Sequence, residues 1–342
     1  MHADPKGAAR ARPRWRTMTL HALVKRVVLT WAVLVSLAWA GACAAQGWPT
    51  RPVRILVPFP AGSATDVLAR IMARDYQDSL GQPVLVENRP GAGGNIASEA
   101  LARSAPDGYT LMIGTNTQYA ANVGLYRKLP YDPLKDFAPV ARLGVNALVL
   151  LVRPDFPART LAEFVTHAKA RPGKLTAGFG SSSSQVSVAM LRTMGGLDVL
   201  DVPYKGIPLA VNDLMSGVVD FTFADTGNAL SQVRGGTLRA LAVTSEKRTP
   251  LAPDWPAIAE LLPGYEVTAW FALAAPAGTP RDIVQRLHEV SARALAKPEV
   301  RDRLAAMGTT PAPLGPEELA VFMRAEVAHW ARLLAAAGIK PE

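Results

Sequence analysis

The sequence is poor in the residues that most often carry chemistry. Its 342 residues include one cysteine, Cys43, and five histidines. Only His167, His288 and His329 lie beyond residue 44, each isolated from the others. No His-Glu-x-x-His or Cys-x-x-Cys spacing occurs, which argues against a transition-metal site. No Gly-x-Ser-x-Gly elbow occurs either, so the commonest sequence mark of a serine hydrolase is missing. Gly91-Ala92-Gly93-Gly94 lacks a following Lys-Ser/Thr, and the dinucleotide pattern fails at Ile96; the segment reads as a tight strand-to-helix turn. A lone cysteine forms no intrachain disulfide. Stability must come from a hydrophobic core, which a chain of this length, 49% hydrophobic, can build.

Charge of one sign is also scarcer than the total suggests. The net charge is +9, but residues 1–44 hold seven Lys/Arg and one acid. The remaining 298 residues carry 30 basic and 27 acidic groups, a net +3 without runs. Nucleic-acid binding needs a concentrated basic stripe, so no nucleic-acid partner is expected. Long apolar runs are limited to Val27–Ala40, fourteen residues where a membrane span needs about 20. Arg10, Arg12, Arg14, Arg16, Lys25 and Arg26 precede this run, and small residues follow it. Residues 1–44 therefore read as a secretory signal cleaved after Ala44, with Met18 as a second candidate start. Ala40-Gly41-Ala42-Cys43 partly matches a lipidation box but lacks the usual Leu or Val three residues before the cysteine. Lipid anchoring at Cys43 is the alternative to simple cleavage.

Elsewhere, apolar runs of four to seven residues alternate with segments of helical period, the pattern of an α/β protein. Expected strands are Val53–Val57, Val84–Glu87, Thr110–Gly114, Leu175–Phe179, Val199–Val202, Val218–Ala224 and Leu238–Val243. Helices are expected over Thr65–Leu80 and near Ile96–Ser104. Three more should start at Thr160-Leu-Ala-Glu163 (a capping box), at Thr279-Pro280 and at Pro316. No period of 20–50 residues and no long linker occurs. Two lobes joined by extended crossover strands, Val145–Val152 and Val267–Ala275, account for the length and form a hinged cleft. One lobe comprises residues 45–146 and 267–342, the other residues 147–266.

The candidate site is a set of backbone-donor loops at strand ends, where open α/β sheets place ligands. The first, Pro58–Asp66, offers Phe59, Ala61, Gly62, Ser63, Thr65 and Asp66. Its small residues let a ligand approach the backbone, and free N–H groups at a helix start favour an anion. The second, Ser181, Ser182, Ser183, Ser184 and Gln185, repeats the arrangement in the other lobe. Thr115 and Thr117 follow a strand end with short polar side chains. Tyr204 follows another beside Lys205, which reads as an anchor or a solvated turn residue. Asp225 either accepts a hydrogen bond from a ligand or caps the following helix. Two such loops facing each other would clamp a carboxylate.

Several motifs occur in order along the chain: Trp48-Pro49, Arg54-Ile55-Leu56-Val57-Pro58-Phe59, Thr65-Asp66, and Val86-Glu87-Asn88-Arg89-Pro90-Gly91-Ala92-Gly93-Gly94. Pro106-Asp107-Gly108-Tyr109-Thr110-Leu111, Leu129-Pro130-Tyr131-Asp132-Pro133 and Val202-Pro203-Tyr204-Lys205-Gly206 follow. Arg239-Ala240-Leu241-Ala242-Val243-Thr244 and Ala275-Pro276-Ala277-Gly278-Thr279-Pro280 complete the set. Over residues 48–340 the chain resembles the Bordetella uptake gene (Bug) family, the extracytoplasmic solute receptors of tripartite tricarboxylate transporters. The resemblance implies a periplasmic, monomeric binding protein of type II-like α/β fold, with mixed sheets flanked by helices and a ligand cleft between two lobes. It implies a small-molecule carboxylate as ligand, gripped largely through backbone amides and bridging water. It implies no catalytic residues and no cofactor, and inner-membrane transporter subunits as partners. A receptor that serves a membrane signalling protein without transport would use the same lobes. A secreted α/β enzyme on acidic substrates would need a nucleophile–base pair or a metal, and neither is found. Three positions depart from the family pattern: Ser63 for Gly, Val186 for His and Thr226 for Asn.

Overall fold

The computed structural model describes residues 47–342. The segment read as a secretory signal, with Met18 and Cys43, lies outside the described residues. Every element below lies in one compact unit, Arg51–Glu342. Short apolar runs become parallel strands because both of their faces are covered by helices. β1 (Val53–Val57) lies between β2 (Val84–Asn88) and β3 (Thr110–Thr115), parallel to both. α1 (Ala64–Leu80) joins β1 to β2, and Gly81 ends it in the left-handed region (φ 68°), its N–H donating to the Gln77 carbonyl. α2 (Asn95–Ala102) leads to β3, and a π turn over Thr117–Ala121 leads into α3 (Asn122–Leu125).

β4 (Phe137–Val152) determines the architecture. Residues Phe137 to Ala147 pair antiparallel with β9 (Thr268–Pro276), which also pairs with β3 and so completes the first sheet. Leu148 to Val152 pair instead with β7 (Phe221–Asp225) and β8 (Arg239–Val243). One strand thus serves two sheets, changing allegiance between Ala147 and Leu148. The second sheet continues from β7 through β5 (Leu175–Phe179) to β6 (Val199–Pro203), all parallel. Around it lie α4 (Leu161–Lys169), α5 (Ser182–Gly195), α6 (Ile207–Met215) and α7 (Thr226–Arg234). The chain returns through Thr244, which ties both crossings together. Its N–H donates to the Leu148 carbonyl (2.8 Å), and its hydroxyl accepts from Leu148 N–H (2.9 Å) and donates to the Val267 carbonyl (2.7 Å).

After β9 come α8 (Arg281–Ala296), α9 (Pro298–Ala306), β10 (Thr309–Leu314) and α10 (Pro316–Ala336). α9 and β10 are absent from the sequence reading. β10 carries two prolines, which an edge strand tolerates because one row of its N–H groups faces no partner; it pairs only with β4. β7 starts at Phe221 instead of Val218, which is exposed in the turn before it. Thr160 caps α4 by accepting from Glu163 N–H, but Glu163 reaches back to the Arg159 N–H, so only half of the capping box forms.

The candidate ligand cleft

The β1–α1 loop is held from below by Asp66. Its carboxylate accepts from Gly62 N–H (3.0 Å), Asn88 Nδ2 (2.9 Å) and Arg70 Nε (3.1 Å), and Asn88 Nδ2 also donates to the Phe59 carbonyl (3.0 Å). Burial works to raise the Asp66 pKa, but the hydrogen bonds from Arg70, Gly62 and Asn88 outweigh it and hold the carboxyl below its ordinary value. Asp66 thus shapes the loop. Ser63 caps α1 by accepting from Asp66 N–H (3.3 Å), which leaves the N–H groups of Ala64 and Thr65 without an acceptor in their own helix.

α5 begins the same way. Ser181 Oγ accepts from Ser184 N–H (3.2 Å), while Ser184 Oγ accepts from the N–H groups of Ser181 and Gly180 (3.0 Å each). Ser184 is consumed by this cap, and the Ser183 N–H has no acceptor in its own helix. A small cavity of about 30 Å³ lies where the two helix starts converge. Phe59, Ser63, Ala64, Thr65, Thr115, Ala269 and Phe271 line it on the first-sheet side. Leu148, Gly180, Ser181, Ser183, Ile207 and Asp225 line it from the second.

The two sides meet through buried bonds. Asn116 Nδ2 donates to the hydroxyls of Ser182 (3.2 Å) and Ser183 (3.0 Å), and the Thr117 and Ser182 hydroxyls lie 2.7 Å apart. At the mouth, Gly206 sits so close to Pro60 that a Cβ there would stand 2.5 Å from Pro60 Cδ. Thr115 is placed from behind: its N–H and hydroxyl donate to Gln118 Oε1 (3.0 and 3.3 Å), and Gln118 Nε2 donates to the Gly93 carbonyl (3.1 Å). Gly94, at φ 84°, leaves the space that Gln118 occupies, since a Cβ there would lie 2.2 Å from Nε2.

Of the fifteen residues singled out in the sequence, Phe59, Ser63, Thr65, Thr115, Ser181, Ser183 and Asp225 line this cavity. Ala61 and Gly62 are exposed on the turn before α1, and Asp66 and Ser184 hold their loops as described. Thr117, Ser182, Gln185 and Tyr204 line a neighbouring hollow with Lys205, where the Tyr204 hydroxyl donates to Asp213 Oδ2 (2.7 Å). Of the three departures, only Ser63 reaches the cavity. Val186 is fully buried in the core, and the Thr226 hydroxyl donates to the Ala147 carbonyl (2.8 Å) at the sheet switch. Leu148, Ala269 and Phe271 escaped the sequence reading because they are apolar residues of the crossover strands, and only their location at a hinge could have marked them. Ala64, Gly180 and Ile207 adjoin motifs that were read.

Asp225 ends β7 with no hydrogen bond to the helix it precedes, so the capping role is not used. Only 7% of its surface is exposed. Burial pushes its carboxyl up to about 6, with its own backbone N–H opposing the rise. It is the one ionisable side chain among the cavity's lining residues. No group of His, Cys, Asp or Glu among the described residues is arranged to hold a metal ion, and no described helix is long and apolar enough to cross a membrane.

Two sheets sharing one crossover strand, with a cavity between them, define the two-lobed fold of the periplasmic binding proteins. Residues 68–339 match the family model described as the tripartite tricarboxylate transporter family receptor, and the chain belongs to that family. It is 38% identical to Protein BugT of Bordetella pertussis over 315 residues, 90% of this chain and 96% of that one. Among solved structures, R. palustris Rpa4515 with adipate superposes with a TM-score of 0.84 at 36% identity, covering 86% of this chain and 100% of the other. MatC from Rhodopseudomonas palustris with bound malate gives 0.79 at 36% identity, covering 84% and 100%. The family is one of receptors, not enzymes.

Proposed function

We propose that this receptor captures a small organic carboxylate between α1 and α5 and delivers it to an inner-membrane transporter of the tripartite type. It works as a monomer in the periplasm, where the N-terminal signal directs it. One lobe comprises residues 45–146 with 267–342, the other residues 147–266, and the ligand favours closure by binding the closed form more tightly. The observation that carries the reading is the convergence of two helix N-termini, one from each sheet, on a cavity without a basic side chain. Each terminus contributes about half a positive charge, together matching one carboxylate. The related proteins solved with adipate and malate support this ligand class. Adipate and malate share two carboxylates, and malate also carries a hydroxyl.

The test is a thermal-shift screen of carboxylates against the primary amides of the same skeletons, on protein shown empty by native mass spectrometry. Ligand at about 100 times its Kd stabilises by about 2.7 kcal/mol. At roughly 2–4 °C per kcal/mol, that is a shift of several degrees. A carboxylate should shift the melt and its amide should not. An amide that shifts it equally, or a flat panel, contradicts the reading. Loss of uptake of that carboxylate on deleting the gene tests the transport step.

A further inference from the structure

A buried carboxylate that faces a ligand cavity and serves no structural bond needs a reason. Asp225 makes no cap to α7 and has no partner on another residue among the described hydrogen bonds and ion pairs. The charged groups on the elements packed around it do not answer it. On α1, Asp66 and Arg70 pair with each other (2.9 Å). On α9, Arg303 lines the adjoining chamber, which Asp225 and Ala64 share with the ligand cavity, and forms no ion pair with Asp225. β4 and β9 present Leu148, Ala269 and Phe271, and α5 presents Ser183, none of them ionisable. Its own backbone N–H is the one donor beside it, so a further donor reaching it from the cavity would stabilise the charged form.

We infer that Asp225 determines specificity in this cavity, and that the ligand carries a hydrogen-bond donor, an ammonium or a hydroxyl group, in addition to its carboxylate. The inference rests on the carboxylate reading above and names the second group that the pocket recognises. The helix starts supply donors for the carboxylate, and Asp225 supplies the single charged acceptor. A ligand with only carboxylates and methylenes would leave that acceptor to its own backbone N–H, or set a second carboxylate against it. A donor-bearing ligand forms a charge-assisted bond instead, stronger than one between neutral groups. Because the Asp225 carboxyl titrates at about 6, it is ionised and able to accept at neutral pH and loses that ability in acid.

Calorimetry with skeleton-matched acids tests this: succinate, malate and aspartate, then propionate, lactate and alanine, at about pH 7.5 and about pH 5. In whichever skeleton binds, the donor-bearing acids should bind about tenfold tighter or more than the unsubstituted one, the size of a hydrogen bond to a charged group. The ammonium and hydroxyl members identify which donor is read. Asp225→Asn, nearly isosteric, should close most of that gap, and acid pH should narrow it in the wild type but not in the variant. An unsubstituted acid that binds as tightly as its substituted partners overturns the inference on the wild type alone. A gap that survives Asp225→Asn overturns it too. Carboxylates that bind without donor preference refute only this inference, whereas no carboxylate binding at all refutes the carboxylate reading with it.

Discussion

Asp66 and Asp225 look alike in the sequence, each a carboxylate beside a strand end, and the fold gives them opposite roles. Asp66 is surrounded by donors, its pKa is held down, and it keeps the β1–α1 loop in shape. Asp225 has no donor from another residue and its pKa is raised. Sequence spacing cannot separate these cases, because the difference lies in Asn88 and Arg70, which reach Asp66 from other elements or turns. Stability separates them. A raised folded-state pKa contributes stability that is complete below the ordinary value of 3.8 and is lost as pH rises through about 6. Asn cannot ionise, so empty Asp225→Asn should gain on the wild type as pH rises through that window. The gain approaches about 3 kcal/mol near neutrality. Denaturant unfolding at about pH 4 and about pH 8 measures it, and an equal difference at both pH values contradicts the account. Asp66→Asn should instead destabilise at neutral pH, by about 1 kcal/mol, because the bonds from Gly62, Asn88 and Arg70 lose their charged acceptor.

At the scale of elements, the helix starts were legible and their supports were not. Pro58–Asp66 and Ser181–Gln185 read as loops opening helices, and the structure adds that Ser63 and Ser181 cap them. The glycine loop was correctly read as a turn, yet its purpose depends on Gln118, which fills the space above Gly94 and aligns Thr115. That link joins residues distant in sequence and leaves no local pattern. β10 was illegible for a different reason: its prolines argue against a strand unless it lies at an edge, and edge position is a tertiary fact. Gly94→Val would drive a side chain into Gln118 and Pro58 at a positive φ. It should cost about 1–3 kcal/mol of stability and weaken ligand binding by displacing Thr115. Unchanged affinity in a folded variant would show that Thr115 does not contribute.

For the whole molecule, the central feature is the narrow connection between two sheets. The apolar segments read as crossovers fall in β4 and, apart from Val267, in β9, and Thr244 binds Leu148 where β4 changes sheets and Val267 just before β9. The sequence marks such strands only by their continuous hydrophobicity, so the hydroxyl that ties them passed unnoticed. The opposite rim depends on small residues. Gly206 meets Pro60 with no room for a Cβ, and its φ of 178° is ordinary extended backbone, so contact alone restricts the position. Gly206→Val should hold the rim open and weaken ligand binding about tenfold or more while the empty protein melts near the wild-type temperature. Small-angle scattering with saturating ligand should then show the wild type contracting and the variant failing to follow. Wild-type affinity in the variant would contradict closure at this rim.

The central claim is that one carboxylate bridges two helix starts. A crystal structure with bound ligand tests it most directly. The account predicts the carboxylate oxygens within hydrogen-bond reach, about 2.7–3.2 Å or through one water, of the Ala64 or Thr65 N–H on one side and the Ser183 N–H on the other. A ligand carboxylate held by Lys205 in the neighbouring hollow, or by one helix alone with the other left to solvent, would contradict it.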